Sequence, residues 1–428
     1  MSEIKVIKIS EGLTLRMYPT TKFKTIRIGV RFTSGLDEKR GLRALIPYVL
    51  ARGCVKYPSI EAIEKHCEEC WGMRFDAGVN KFAGMQGISF DIDVVNGKFL
   101  PNNPNTLLDA FDFIKEMIFS PIINKNDNGK SGFDSLFVEQ EKFLMRERIE
   151  ALINDKRSYA MSQLIKRMYP EMPFTLDKFG SVEDVEKITP EALYEEYSSM
   201  VATAPVDIFV AGDVCEEMLT ECIKETFVSS ERCGFTPYIS PVTEYNGEAT
   251  LEREALDVKQ SKLCIGYYTG VTPASQDFFV QIVYNGILGG GVNSKLFMNV
   301  REKASLCYDI SSRIDKYNGL MMIAAGIEDS SFDKACAIID EQVRAIEEGS
   351  ITAVEFESAK SDIEWSMKAI EDSPGAMPEF YYSNALCSVE ITPEQYVNGV
   401  RSVTVEDVVA FAKRVKKVMV YFLTGEEK

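Results

Sequence analysis

Residues 41–59 read GLRALIPYVLARGCVKYPS and show the spacing of an amphipathic helix. The apolar positions recur at intervals of three and four, which predicts one buried face: Leu42, Leu45, Ile46, Val49 and Leu50. Pro47 lies inside this pattern, and a proline in a helix interior costs about 3 kcal/mol. We therefore expect the helix either to begin near Pro47 or to kink there.

The same stretch resembles the signature segment of the M16 metallopeptidases, the pitrilysin or inverzincin family. In that family Gly-Leu leads into a helix with His-x-x-Glu-His, which is followed by Lys/Arg-Gly and then by Tyr-Pro-Ser. The matching residues here are Gly41-Leu42, Arg52-Gly53 and Tyr57-Pro58-Ser59. The three chemical positions differ, since Ala44 and Tyr48 replace the zinc-binding histidines and Pro47 replaces the general-base glutamate. A methyl group, a phenol and a proline ring cannot supply two imidazoles and a carboxylate.

A single histidine, His66, is present in the 428 residues. A zinc site with two histidines and one glutamate therefore cannot form in this chain. A hydrolase that used His66 would need a nucleophile segment, and no G-x-S-x-G accompanies it. His66 precedes a CxxC pattern, Cys67 and Cys70, late in a predicted helix. Packing is the favoured interpretation of this pair, and a redox or metal role is the alternative.

The composition excludes several classes of function. The length favours two domains, and the net charge of −17 argues against nucleic-acid binding. We find no run of eighteen apolar residues and no signal-peptide core, so we expect a cytoplasmic protein that does not span a membrane. The ten cysteines are scattered between Cys54 and Cys387, and we expect them to be reduced and mostly buried.

The predicted elements alternate between strands and helices along the whole chain. Strands are predicted at Ile4–Met17, Thr25–Phe32, Phe82–Val95, Val206–Gly212, Ser261–Tyr268 and Gly319–Gly326. Besides the first helix, helices are predicted at Ser59–Cys70, Thr106–Phe119, Phe137–Leu152, Tyr159–Met168, Phe278–Leu288, Ser330–Glu348 and Val354–Glu371, and another begins at Thr189-Pro190. Residues 96–105 and 123–131 are predicted to be polar loops.

The element order of the first half recurs in the second half. Ile188-Thr-Pro-Glu191 is matched by Val403-Thr-Val-Glu406, which lies 215 positions later, and Val206–Gly212 is matched by Met419–Gly425 at a similar offset. The shared order indicates an internal duplication. M16 proteins are built from such duplicated α+β domains, so the resemblance covers essentially the whole chain. It implies two tandem domains that form a half-clamshell, each with a mostly antiparallel sheet and packed helices.

The stretch 229–248 has no hydrophobic period and contains two prolines, which is typical of a linker. We therefore predict an N-terminal domain at 1–228, with the degenerate zinc site, and a C-terminal domain at 249–428.

Three further residues are identified through the resemblance. Glu147 stands where the family places its distal zinc ligand, and an exposed, ion-paired side chain is its simpler interpretation. The segment Ser294–Tyr308, SKLFMNVREKASLCY, resembles the family's second-half segment, whose Arg and Tyr hold substrate and stabilise the oxyanion. The equivalents here are Arg301 and Tyr308. An ordinary ion pair for Arg301 and a half-buried strand position for Tyr308 are the alternatives.

The profile is similar to that of non-catalytic bacterial M16 chains, including a motif-less subfamily associated with elongation factor P modification. The resemblance implies a heterodimer in which a partner M16 chain carries His-x-x-Glu-His and the only zinc. This chain would bind peptide or unfolded polypeptide through Arg301 and Tyr308. The alternative is a peptide-binding or scaffold protein, which could be homodimeric, with no proteolytic role.

Overall fold

The computed structural model describes residues 4–229, 231–236 and 244–425, which divide into two compact units. The first unit contains the described residues of Met1–Ala151, Leu176–Thr236 and Ser373–Phe380. The second contains those of Leu152–Thr175, Pro237–Asp372 and Tyr381–Lys428. Part of the predicted linker 229–248, namely Ser230 and residues 237–243, lies outside the described residues.

The first unit is an α+β structure. Its strands are β1 (Lys5–Ser10), β2 (Leu13–Pro19), β3 (Thr25–Gly35), β4 (Arg74–Phe82), β5 (Met85–Val95), β6 (Ile123–Lys125), β7 (Ser131–Phe133) and β8 (Val206–Gly212). Its helices are α1 (Arg40–Leu50), α2 (Ile60–Glu69), α3 (Thr106–Phe119), α4 (Ser135–Ala151), α6 (Val182–Glu186), α7 (Pro190–Thr203) and α8 (Glu216–Phe227). The remaining helix of the first half, α5 (Lys156–Met168), belongs to the second unit.

A six-stranded sheet in the order β1-β2-β8-β3-β5-β4 forms the centre of the first unit. All of its pairs are antiparallel except β2 with β8. One face supplies side chains such as Ile28, Phe90 and Ile92 to a core that includes the buried residues of α1, α3 and α7. β4 pairs only with β5 and is therefore an edge strand. β6 and β7 form a hairpin where a polar loop was predicted.

The second unit repeats this architecture. Its strands are β9 (Thr250–Ala255), β10 (Ser261–Tyr268), β11 (Cys307–Asp315), β12 (Leu320–Ile327) and β13 (Lys416–Thr424), in the sheet order β11-β12-β10-β13-β9. Its further helices are α9 (Phe278–Asn285), α10 (Phe332–Glu347), α11 (Ala353–Ile370), α13 (Pro393–Ser402), α14 (Val405–Ala412) and the second part of α12 (Ala376–Ala385). Gly286–Gly290 and Phe297–Lys303 are wider, π-helical turns. The predicted fold class, α+β with a mostly antiparallel sheet and packed helices in each half, is confirmed.

The two units do not divide simply at the predicted linker, because two segments belong to the unit on the other side of it. α5 belongs to the second unit because Ala160 and Leu164 are fully buried against that sheet. The carboxylate of Glu254 on β9 also accepts hydrogen bonds from Tyr159 at 2.5 Å and from Arg167 at 2.7 Å, both on α5. Residues 373–380 belong to the first unit, where Glu379 pairs with Arg31 at 3.0 Å.

α1 begins at Arg40 and continues through Pro47 to Leu50. Of the two expected arrangements, a start near Pro47 is therefore wrong. Packing explains why the proline is tolerated, since the apolar side chains around it are at most 1% exposed: Ala44, Leu45, Ile46, Val49 and Leu50. Burying a leucine, isoleucine or valine stabilises by about 1.5–3 kcal/mol each. Their sum exceeds the roughly 3 kcal/mol that an interior proline costs.

The duplication is visible in equivalent contacts of the two units. Thr189 and Thr404 each accept a hydrogen bond from a backbone N–H of the helix that they cap. On α4, the ammonium of Lys142 donates to the carbonyls of Glu186 and Ile188 at 3.2 and 3.0 Å. On α11, the ammonium of Lys360 donates to the carbonyls of Arg401 and Val403 at 2.8 and 2.9 Å. In each unit one lysine therefore fixes a long helix to the chain just before a capping threonine.

The described residues contain no helix that is both long enough and apolar enough to cross a membrane.

We expect Lys142→Met and Lys360→Met each to destabilise the unit that contains it by about 1–2 kcal/mol, because two carbonyls lose a charged donor. The midpoint of urea denaturation, followed by circular dichroism, measures the change. Lys65→Met is the control, since Lys65 is 75% exposed and its ion pair with Glu69 is a surface contact at 4.0 Å. Equal midpoints for all three variants and the parent would contradict this assignment.

Candidate peptide-binding site and the degenerate zinc position

The three degenerate motif positions lie together on α1 but offer no metal ligands. Ala44 is fully buried, Pro47 is buried and Tyr48 is half-buried. Glu147, at the predicted distal position on α4, is exposed. Within the described ranges, no group of three or more histidine, cysteine, aspartate or glutamate side chains is arranged to hold a metal ion. The residues present therefore do not fit the zinc that the fold family uses.

Basic side chains lie near this position instead: Arg148 contacts Tyr48, and Arg148 and Lys178 both contact Phe179. The guanidinium carbon of Arg148 lies 4.4 Å from the ring centre of Tyr48 and 5.5 Å from that of Phe179. Lys178 is a second cation beside Phe179, with its ammonium 4.8 Å from the centre of that ring and 2.7 Å from the carbonyl oxygen of Val79. Burial raises the pKa of the Tyr48 phenol, and the positive charge of Arg148 opposes that rise. Burial lowers the pKa of Lys178.

The sequence did not identify Arg148 and Lys178 as site residues. The spacing of buried residues along α4 could have identified Arg148 as a site residue. These buried residues are Val138, Glu141 and Met145. The next position in this series of three and four is Arg148, which is exposed like Glu147 but continues the row of buried positions. Glu141 is not available as a ligand, since it bonds to Arg52 at 2.5 Å.

His66 is part of an aromatic stack and not of a catalytic pair. Its ring stacks on Phe113, with the centres 5.5 Å apart, and lies 4.5 Å from the ring of Tyr57. Its Nε2 atom is 3.2 Å from the Tyr57 hydroxyl and 3.4 Å from the Cys70 sulfur. Burial lowers the pKa of His66, raises the pKa of Cys70 and raises that of Cys67 to about 11. These contacts favour the packing interpretation of the CxxC pair.

Arg301 and Tyr308, which are separated by six residues in sequence, are adjacent in the second unit. The guanidinium carbon of Arg301 lies 4.5 Å from the ring centre of Phe297 and 5.4 Å from that of Tyr308. The nearest ion-pair partner of Arg301 is its neighbour Glu302 at 3.4 Å. Tyr308 is 81% exposed and the side chain of Arg301 is 34% exposed, so the phenol is open to a ligand and the guanidinium is partly so.

The backbone explains why Tyr308 points outward. β11 is an edge strand, and its pairing with β12 shifts between Cys307 and Ile310, which places Tyr308 in a β-bulge. A bulge leaves an extra residue unpaired and redirects its side chain. Ser305, three residues earlier, has a φ of +51°, which turns the chain from the π-helical segment into the strand.

The segment that carries Arg301 is anchored at its start. Lys295, with its side chain 6% exposed, pairs with Glu355 on α11 at 3.0 Å. Asn299 donates to the carbonyl of Lys295 at 2.9 Å and to the side chain of Gln342 at 2.8 Å. One turn of the helix therefore contacts both α10 and α11, and this fixes where Arg301 leaves it.

A cavity of about 620 Å³ in the first unit contains none of the candidate site residues. It is lined by the buried charges Arg43 and Glu196, which are 3.3 Å apart, and by Asp37, which pairs with Arg43 at 2.6 Å. Each of these charges already has an ion-pair partner, so the cavity does not indicate a ligand.

The chain is similar in sequence and in fold to proteins of the M16 peptidase family. The family model described as the peptidase M16 inactive domain matches residues 187–363. The probable inactive metalloprotease YmfF of Bacillus subtilis is 33% identical and covers 100% of this chain and 99% of its own length. A conserved protein from Enterococcus faecalis superposes with a TM-score of 0.89 at 30% identity, and both chains are covered completely. A peptidase M16 inactive domain from Pseudomonas fluorescens, 16% identical, shares the fold with a TM-score of 0.81 over 100% of this chain and 99% of its own.

The packing interpretation of Cys67 predicts low thiol reactivity. At pH 7.5 we expect iodoacetamide to modify the exposed Cys233 well before the half-buried Cys67, because only the thiolate reacts. With a pKa of about 11, the thiolate fraction of Cys67 rises about tenfold for each pH unit between 7 and 9. Peptide mapping by mass spectrometry measures both rates. Modification of Cys67 as fast as Cys233 at pH 7.5 would restore the redox alternative.

Proposed function

Because the chain belongs to the peptidase M16 family, we propose that it is a non-catalytic subunit that pairs with a second M16 chain carrying His-x-x-Glu-His. The chain itself lacks the ligands for catalytic zinc, so it is not active alone. The proposed role is to bind a peptide substrate and to stabilise the oxyanion in trans. Any zinc would be bound by the partner chain, in a complex that acts as a zinc metalloendopeptidase. The ten free cysteines are consistent with a reducing, cytoplasmic location.

The observation that supports this role most directly is the pairing of Arg301 with the exposed Tyr308. A phenol that is 81% exposed and stands on a bulge of an edge strand contributes little to the core. The arginine beside it has no ion pair in the described chain except the one with its neighbour Glu302. Both groups are hydrogen-bond donors, so together they can hold a peptide carbonyl.

The chemistry of amide hydrolysis suits such donors. Negative charge develops on the carbonyl oxygen as the tetrahedral intermediate forms, and fixed donors stabilise it without having to reorganise. Arg301 is held by the rings of Phe297 and Tyr308, and the start of its segment is held by the Lys295–Glu355 pair. This anchoring supplies the preorganisation that an oxyanion site requires. The partner would supply the metal chemistry, and this chain would orient the carbonyl.

The test reconstitutes the chain with an M16 partner that carries His-x-x-Glu-His and measures cleavage of a basic, unstructured peptide. We expect Tyr308→Phe and Arg301→Gln each to lower kcat about 10²-fold or more, because each removes a donor to the oxyanion. Association of the two chains, measured by analytical ultracentrifugation, should not change. The stability of Tyr308→Phe should also stay within about 0.5 kcal/mol, since the side chain is exposed.

Arg313→Gln is the matched control, because Arg313 is exposed on the same strand and lies outside the proposed site. Its kcat should equal that of the parent complex. Turnover and bound zinc in this chain alone would overturn the non-catalytic assignment. Unchanged kcat in both site variants would favour the alternative, a peptide-binding or scaffold protein without a proteolytic role.

A further inference from the structure

The degenerate zinc position is positively charged although it holds no metal ligands. Arg148 and Lys178 lie within 5.5 Å of the ring centre of Phe179. Across the described ranges, neither forms an ion pair. Burial lowers the pKa of Lys178, the charge of Asp177 opposes that shift, and the charge of Arg148 adds to it. Two neighbouring cations without a carboxylate partner form a site that favours an anion.

Within the described residues no nearby carboxylate forms an ion pair with Arg148 or Lys178, although the charge of Asp177 raises the pKa of Lys178. Glu141 bonds to Arg52 at 2.5 Å, and Asp177 accepts the backbone N–H of Phe179 at 2.9 Å. Asp76 on β4 projects from the face opposite to Phe75 and Ala77, since side chains alternate along a strand. Its charge adds to the raised pKa of Tyr48, but it forms no ion pair with Arg148 in the described residues. Arg148 is an exposed residue whose guanidinium contacts Tyr48 through the ring and the hydroxyl, which leaves its other N–H groups for a ligand.

The outer edge of β4 leads to these two cations. Val79 directs its carbonyl away from β5, because that oxygen accepts a hydrogen bond from Lys178. In an antiparallel pair every second residue points both backbone groups the same way, so Phe75 and Ala77 also present theirs at the open edge. An extended peptide can therefore add to the sheet along Phe75 and Ala77. Pairing beyond Val79 is disfavoured, because the ammonium of Lys178 lies 2.7 Å from that carbonyl oxygen on the open edge.

We propose that Arg148 and Lys178, at the degenerate zinc position beside Tyr48, bind the C-terminal carboxylate of a peptide that pairs with the edge of β4. The Lys178–Val79 contact limits how far the added peptide strand can extend along β4. The peptide terminus that two cations would bind is the negatively charged C-terminal carboxylate. The inference rests on the proposed function in that it names the class of peptide, one with a free C terminus. It places this contact in the first unit, on residues separate from Arg301 and Tyr308.

The experiment measures binding of fluorescein-labelled decapeptide pools to the full-length chain by fluorescence anisotropy. The pools share one random internal composition and end in a free carboxylate, in a carboxamide, or in glutamate carboxamide. We expect the free-carboxylate pool to bind about tenfold more tightly than the carboxamide pool, which corresponds to about 1.4 kcal/mol for a charge-assisted contact. The glutamate carboxamide pool tests whether a side-chain carboxylate is sufficient.

Arg148→Gln should abolish the preference for the free carboxylate. Arg146→Gln is the matched control, since Arg146 lies on the same helix but stacks on the exposed ring of Phe143. It should retain the full preference. Lys178→Met should reduce the preference and also permit longer pairing along β4. Urea denaturation of each variant verifies that the fold is kept.

The outcomes separate the two proposals. Equal affinity for the free and amidated pools, or a preference that survives in Arg148→Gln, overturns the carboxylate site. Equal binding of the glutamate carboxamide and free-carboxylate pools overturns the assignment to the terminus. If the preference is absent while Arg301→Gln still lowers turnover of the complex, the proposed function stands and the carboxylate site falls. If no pool binds and turnover is unaffected, both proposals fall.

Discussion

Both candidate sites depend on the same kind of contact, in which a lysine ammonium donates hydrogen bonds to two backbone carbonyls just before a capping threonine. It fixes α4 through Lys142 and α11 through Lys360. α4 positions Arg148 over the ring of Tyr48, and α11 positions Glu355, which anchors Lys295 at the start of the Arg301 segment. A charged donor that satisfies two carbonyls is stronger than a neutral hydrogen bond and tolerates little displacement. The duplicated architecture thus positions each candidate site through the same lysine contact in its own unit.

The loss of zinc changes the energetics of α1 as well as its chemistry. Zinc-binding histidines must reach the surface of the helix, whereas Ala44 is fully buried and Pro47 is buried within the core. The helix can therefore pack apolar side chains along nearly its whole length, and this packing compensates for the interior proline. In α1 the positions that bear metal ligands in the family's active members therefore contribute to packing at Ala44 and Pro47.

Much of the fold was predictable from the sequence because its signals are local. The helix α3 and the strands β8 and β10 have the predicted bounds, since capping residues and hydrophobic alternation mark their ends. β4 was missed because Arg74–Phe82 is a half-exposed edge strand whose alternation is weak. The location of α5 in the second unit depends on Glu254, almost ninety residues further along the chain, which no local pattern can reveal. For the same reason, Arg301 and Tyr308 could be named from a segment, while Arg148 required the phase of α4 relative to α1.

Arg148 and a zinc ion are mutually exclusive neighbours of position 48. Two unit charges 4 Å apart repel by about 4 kcal/mol at an effective dielectric constant of 20, and a divalent ion doubles this cost. A guanidinium placed 4.4 Å from the Tyr48 ring is therefore more stable where no metal binds nearby. The site therefore differs from that of zinc-binding relatives by more than the absence of metal ligands. The positive charge that a zinc ion supplies there is supplied here by the Arg148 and Lys178 side chains. A cation without a metal cannot activate water, but it can still hold a carboxylate, which is the chemistry that remains at this position.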